Sequence, residues 1–198
     1  MKNIAVYCGS NLGNSKSYFL AAQAMGTALV KRNIGLVYGG GKIGMMGTIA
    51  DAVLAAGGCV TGVIPTFLRE KEVAHRGLTE LVETTDMTGR KNKMIELADG
   101  FIAMPGGIGT YEELFEVLSH AQLKLHRKPI GLMNIEGFFD PLIAMLQHTA
   151  DQGFMLQVNM QILCVAADPA ELLQKMADYH FIDAPKWSEP AWKRAEAV

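Results

Sequence analysis

No apolar run in this sequence approaches the ~20 residues that a membrane-spanning helix needs. The N-terminal stretch Ile4-Ala5-Val6-Tyr7 is also too short for the apolar region of a signal peptide. A cytoplasmic protein that does not enter a membrane is the expectation. Cysteine is scarce: Cys8, Cys59 and Cys164 show no CxxC spacing, which argues against a disulfide scaffold or a redox motif. Each lies in an apolar, strand-like run, so three reduced core thiols are expected. The five histidines, His75, His120, His126, His148 and His180, form no HxxxH or HxH pair and have no cysteine at ligand spacing, so no metal site is expected. There is no GxSxG elbow for covalent acyl chemistry. Net charge is also small, -2 with a pI near 6.2, which argues against a protein built mainly to hold nucleic acid.

What is present points to one α/β domain. Short β-branched runs alternate with longer amphipathic stretches, the mark of a parallel sheet with crossover helices. Strands are expected at Ile4–Cys8, Gly35–Tyr38, Val60–Ile64, Glu80–Thr84, Gly100–Met104, Pro129–Met133 and Ile162–Val165. Helices are expected at Ser17–Arg32, Gly47–Ala56, Asp86–Ala98, Thr110–Lys124 and Phe138–Gln152, with another starting at Asp168-Pro169. In the first of these, Phe19, Leu20, Met25, Leu29 and Val30 fall largely on one side. Asp86 and Asp168 read as N-caps, the latter with Pro169 at the first helical position. The fold class is therefore a Rossmann-like, doubly wound domain with a mainly parallel sheet of about seven strands. It should occupy residues 1–180, leaving 181–198 as a tail in which Pro185, Pro190 and both tryptophans stand in a polar setting.

In such a sheet, ligands bind beyond the carboxyl ends of the strands. Three loops there are rich in glycine: Cys8-Gly9-Ser10, Gly39 to Gly47, and Pro105-Gly106-Gly107-Ile108-Gly109-Thr110. Glycine lets the backbone approach an anion, and free N–H groups at a helix start then point at a phosphate. The pattern is not a Walker A loop, because Ile43 follows Gly41-Lys42 where Ser or Thr would hold magnesium. Gly9-Ser10-Asn11-Leu12-Gly13 lacks the GxGxxG order of a dinucleotide site. The loops suit a monophosphate, with candidate substrate-binding positions at Ser10, Gly40, Gly41, Gly44, Met45 and Met104.

Around the third loop, Glu112 and Glu113 open a helix. Glu113 either points back to the cleft or closes a capping box with Thr110. Arg90 and Lys91 lie on the helix after the fourth strand, within reach of the same crevice or on a solvated face. Glu72 sits in a charged run, Arg69 to Glu72, whose default reading is surface charge.

Taken together, Gly39–Gly47, Arg90-Lys91 and Pro105-Gly106-Gly107-Ile108-Gly109-Thr110-Tyr111-Glu112-Glu113 resemble the LOG (Lonely Guy) family, whose hallmark is PGGxGTxxE. The resemblance runs from about Lys2 to Tyr179. It implies a phosphoribohydrolase of cytokinin biosynthesis, cutting a nucleoside 5′-monophosphate, either a cytokinin riboside 5′-monophosphate or AMP, into free base and ribose 5-phosphate without a cofactor. It further implies that Arg90 and Glu113 are catalytic and that Glu72, Lys91, Gly106, Gly107, Gly109, Thr110 and Glu112 bind substrate. Ser119, a further substrate-binding candidate, stands where the family usually has Thr and keeps the hydroxyl, His120 replaces a common Trp, and Met45 replaces a usual Leu. A homodimer is also implied, to which Leu114, Phe115, Leu118 and Leu123 would lend an apolar face, although core packing in a monomer accounts for the same residues almost as well. Two other readings are a module that binds an AMP-like nucleotide without turnover, and a pyridoxal-phosphate lysine decarboxylase; the latter would need a larger scaffold.

Overall fold

The computed structural model describes residues 1–69, 74–186 and 193. Among the described residues, seven strands form one sheet: β1 (Asn3–Tyr7), β2 (Gly35–Tyr38), β3 (Val60–Pro65), β4 (Glu80–Thr84), β5 (Gly100–Ala103), β6 (Ile130–Met133) and β7 (Leu163–Ala166). Between and after them run α1 (Lys16–Lys31), α2 (Gly44–Ala55), α3 (Met87–Leu97), α4 (Ile108–Gln122), α5 (Asp140–Asp151) and α6 (Pro169–Ala177). The strand order is β4-β3-β2-β1-β5-β6-β7, and every neighbouring pair is parallel. The chain winds outward from β1 to β4, then returns to place β5 against β1 and winds the other way. The order therefore reverses between β1 and β5, where a doubly wound sheet opens its crevice.

Period-two alternation in β1 divides the core. Ile4 and Val6 join α1, α2 and α6 on one face, through Met25, Leu29, Ile49, Val53, Leu172 and Leu173. Ala5 and Tyr7 join α3, α4 and α5 on the other, through Met94, Leu114, Val117, Phe139 and Leu142. The edge strand β4 is only part-buried, whereas β5 and β6 are buried throughout. Among the described residues, no helix is long and apolar enough to cross a membrane.

Helix starts follow their caps where a capping side chain exists. The Asp86 carboxylate accepts from the Gly89 N–H at 2.7 Å, and that of Asp168 accepts from the Glu171 N–H at 2.9 Å ahead of Pro169. Where no side chain caps, the start shifts from the expected residue, to Asp140 rather than Phe138 in α5 and to earlier positions in α2 and α4. Helix α2 begins at Gly44 rather than Gly47, and α4 at Ile108 with Gly107 as its N-cap. Thr110 therefore sits inside the first turn of α4, and the Thr110–Glu113 capping box does not form. In α1 the buried stripe is Ala22, Met25, Gly26 and Leu29, while Leu20 is 50% exposed. A Cβ on Gly26 would come within 2.8 Å of the Ala52 Cβ, so small residues let α1 and α2 pack closely. Cys59 is exposed, correcting its placement in the core; it falls between Gly58 and the start of β3, outside the strand.

Candidate active site

The loops after β1 and β5 are stapled together at the crevice. The Gly9 N–H donates to the Pro105 carbonyl at 3.1 Å, and the Gly9 carbonyl accepts from the N–H groups of Met45 and Met46 at 3.1 and 3.3 Å. Two of the first N–H groups of α2 are thus taken by the protein itself. Several glycines are needed for this packing. A Cβ on Gly44, whose φ is +66°, would lie 2.2 Å from the Ser10 carbonyl carbon; one on Gly106 would lie 2.2 Å from Thr110 Oγ1. At Gly107 and Gly109 a Cβ would meet no neighbouring atom within 4 Å. Among the described residues, no hydrogen bond takes the N–H groups of Ile108, Gly109 or Thr110. The N-terminus of α4 consequently presents open backbone and the positive end of its dipole to the crevice.

A cleft of about 270 Å³ lies there, lined by Cys8, Gly9, Ser10, Met46, Leu68, Met87, Arg90, Gly107, Ile108, Gly109, Thr110, Glu112 and Glu113. Arg90 and Glu113, 23 positions apart in sequence (113 − 90), meet on its walls. Arg90 is 5% exposed, and its guanidinium donates to the Gly39 carbonyl at 3.0 Å. A Cβ on Gly39 would stand 1.9 Å from that guanidinium, so the first glycine of the second loop makes room for the arginine. On the floor, burial and then the nearby Glu113 carboxylate push the Cys8 thiol far above its ordinary range. It is a neutral lining group and not a thiolate nucleophile. Burial, followed by Glu113, Glu116 and Glu112, likewise holds Tyr7 well above the usual phenol range.

The expected site residues divide. Ser10, Arg90, Gly107, Gly109, Thr110, Glu112 and Glu113 line this cleft. Gly106 and Met45 line an adjoining cleft of about 250 Å³, which shares Gly9, Ser10 and Gly107 with the first and is closed by Leu12, Tyr18 and Phe138. Gly40 and Gly41 serve the scaffold: the Gly40 carbonyl accepts from the His75 N–H at 2.9 Å, and Gly41 pairs with Ala74. Met104 is fully buried in the core. The Lys91 ammonium bonds Glu112 and reaches Glu116 at 3.3 Å, and the Glu112 hydrogen bond raises its pKa against the opposing effect of burial. Ser119 lies in another groove, of about 280 Å³, with Phe115, Leu118, Met145 and Phe154. Nine positions along α4 from Thr110, it is ~13 Å away along the axis at 1.5 Å per residue. Glu72 lies outside the described residues. Among the described residues, no group of three His, Cys, Asp or Glu side chains is placed to hold a metal.

A family model described as "possible lysine decarboxylase" matches residues 46–176. A cytokinin riboside 5′-monophosphate phosphoribohydrolase of Arabidopsis thaliana is 46% identical over 178 residues, spanning 90% of this chain and 84% of that protein. The chain belongs to the LOG family. A second LOG protein, named a probable enzyme of the same kind in Oryza sativa subsp. japonica, is 44% identical over 98% of this chain and 86% of its own length. Solved structures share the fold at lower identity. The molybdenum cofactor carrier protein of Chlamydomonas reinhardtii is 19% identical with a TM-score of 0.65, covering 89% of this chain and 95% of that one. The molybdenum cofactor binding protein of Rippkaea orientalis is 20% identical with a TM-score of 0.66 over the same shares.

Sequence reasoning missed the apolar lining of the LOG cleft: Met46, Leu68, Met87 and Ile108. Met87 carried a weak signal, since it precedes Arg90 by three residues and so shares its helix face. Ile108 carried none, and its 88% exposure appears only in the folded chain. The thiols provide a direct check on burial. In the native protein a disulfide reagent at pH 8 should modify one cysteine rapidly, Cys59, while Cys8 and Cys164, both buried and both with raised pKa, react only after denaturation. Rapid loss of two or three thiols without unfolding would contradict this arrangement.

Proposed function

We propose that the chain is a phosphoribohydrolase. It cleaves the N-glycosidic bond of a nucleoside 5′-monophosphate, a cytokinin riboside 5′-monophosphate or AMP, with water, giving free base and ribose 5-phosphate. The observation that carries this reading is the meeting of Arg90 and Glu113 in one cleft beside the open N-terminus of α4. The names of the relatives supply the substrate class. The phosphate sits on the N–H groups of Ile108, Gly109 and Thr110, where the helix dipole favours an anion. This places the sugar against Arg90 and Glu113. As the bond between base and C1′ lengthens, positive charge grows on the ribose. The Glu113 carboxylate stabilises that charge and orients the attacking water or the ribose hydroxyls. Arg90, fixed by the Gly39 carbonyl, holds the phosphate or the departing base with its planar donors. Water then adds at C1′, and the electron pair of the broken bond leaves with the base, which takes up a proton.

A pyridoxal-phosphate lysine decarboxylase finds no support in the cleft, which no lysine lines among the described residues. A Schiff-base lysine also needs a depressed pKa, whereas the two carboxylates beside the nearby Lys91 push it upward. The test is a panel of nucleoside 5′-monophosphates with ribose 5-phosphate as the common readout. Release from AMP or an N6-substituted analogue is expected. Tight binding of every nucleotide with no release of base would instead make the chain a nucleotide-binding module.

We further infer a cytoplasmic homodimer whose catalytic unit is residues 1–180, with 181–198 as a tail. The groove between α4 and α5 supports a contact between copies: Phe154 is 87% exposed on it, beside partly exposed Phe115 and Met145. Leu114 of the same helix is instead fully buried in the core. Light scattering at micromolar concentration should give twice the 21.5 kDa chain mass, and a monomer would reject the dimer.

A further inference from the structure

We propose that Glu116 is a positioning residue: with Glu112 it grips the Lys91 ammonium, and this clamp sets the separation of α3 and α4 across the cleft. The proposal rests on the phosphoribohydrolase reading and concerns how its two catalytic side chains are held. Lys91 directly follows Arg90 on α3, and Glu112 directly precedes Glu113 on α4. The two feet of the clamp therefore stand one residue from each member of the pair. Glu112 and Glu116 are four apart on α4, so both project over the same face and offer two acceptors to one ammonium. The Lys91 and Glu116 side chains are only 17% and 24% exposed, against 50% for Glu112. Glu116 is thus the inner prong, shielded from the solvent that weakens an exposed ion pair.

Charge gives the clamp a second task. Glu112, Glu113 and Glu116 fall within five positions of one helix, and all three act on the buried Tyr7 hydroxyl. Lys91 offsets two of these negative charges. Without it, the Glu112 and Glu116 carboxylates would face each other with no cation between them. The resemblance to the family assigns Lys91 and Glu112 to substrate, and it assigns nothing to Glu116. In the structure Lys91 is held by carboxylates on α4, an arrangement that makes it a strut between helices. A displacement of about 1 Å at a reacting group costs up to about 10²-fold in rate. The clamp therefore matters far more to turnover than to stability.

The experiment uses the full chain and compares Glu116→Ala and Glu116→Gln with the unaltered protein in ribose 5-phosphate release. Glu116→Ala should lower kcat by about tenfold while KM stays within about twofold, because the phosphate is held elsewhere. Glu116→Gln, which keeps shape and one acceptor, should recover part of that loss and keeps the test open if the alanine variant folds poorly. Unchanged kcat in both variants, or a rise in KM alone, would overturn the proposal. Melting temperatures of Lys91→Met, Glu116→Gln and the double variant give a readout that needs no turnover. Each single change should lower Tm by about 1–3 °C, and the double change by no more than the larger single one. Additive shifts would overturn the clamp. If the unaltered protein releases no base from any nucleotide, the hydrolase reading fails, and the melting cycle alone decides whether the clamp exists.

Discussion

Glu113→Gln is expected to lower kcat by about 10²-fold or more, with little change in KM. The substitution keeps the shape of the side chain and removes the negative charge that would face the cationic sugar. Its effect should therefore appear in the transition state and not in the bound substrate. Glu113 is the sixth residue of α4 and takes no part in capping, since Gly107 holds the cap position. A lost cap thus offers no structural explanation for a fall in rate. A folded Glu113→Gln protein with near-normal kcat would remove the carboxylate from the chemistry and most of the case for hydrolysis with it.

Removing the 5′-phosphate from the substrate should cost about 10²–10³-fold in kcat/KM. Charge-assisted hydrogen bonds contribute ~1.5 kcal/mol or more each. Two or three from the start of α4 sum to about 3–4.5 kcal/mol, at 1.36 kcal/mol per tenfold. The donors are the N–H groups of Ile108, Gly109 and Thr110, to which no described residue forms a hydrogen bond. The Met45 and Met46 N–H groups at the start of α2 cannot add to this, because the Gly9 carbonyl already accepts from them. Equal kcat/KM for the monophosphate and its riboside would show that α4 does not anchor phosphate. Replacing Gly109 by a bulkier residue would then be harmless, because the space above it is open.

Much of the architecture was legible because local chemistry and tertiary position agree. The seven apolar runs became seven strands within a residue or two at each end, and Asp86 and Asp168 capped the helices that their side chains announce. Boundaries slipped where no side chain marks them. Ile43 and Gly107 occupy N-cap positions without a capping oxygen, so α2 and α4 start earlier than the periodicity suggests. The stripe of α1 was misread at Leu20, because the close approach of α2 buries Ala22 and Gly26, whose weak hydrophobicity carries little periodic signal.

For the site, sequence alone determined which loops meet at the crevice and which family the chain belongs to. A parallel sheet gathers its strand-end loops at one edge whatever the details of packing, and the PGGxGTxxE motif has a specific spacing. Tertiary structure alone decided what each glycine is for. Gly44 and Gly106 allow backbone to touch backbone, while Gly107 and Gly109 open onto the cleft. The four read alike in sequence, because the difference lies in atoms supplied by distant segments. The same holds for Lys91. Its partner Glu112 is 21 positions away, and only the packing of α3 beside α4 turns a cation assigned to substrate into one held by two carboxylates.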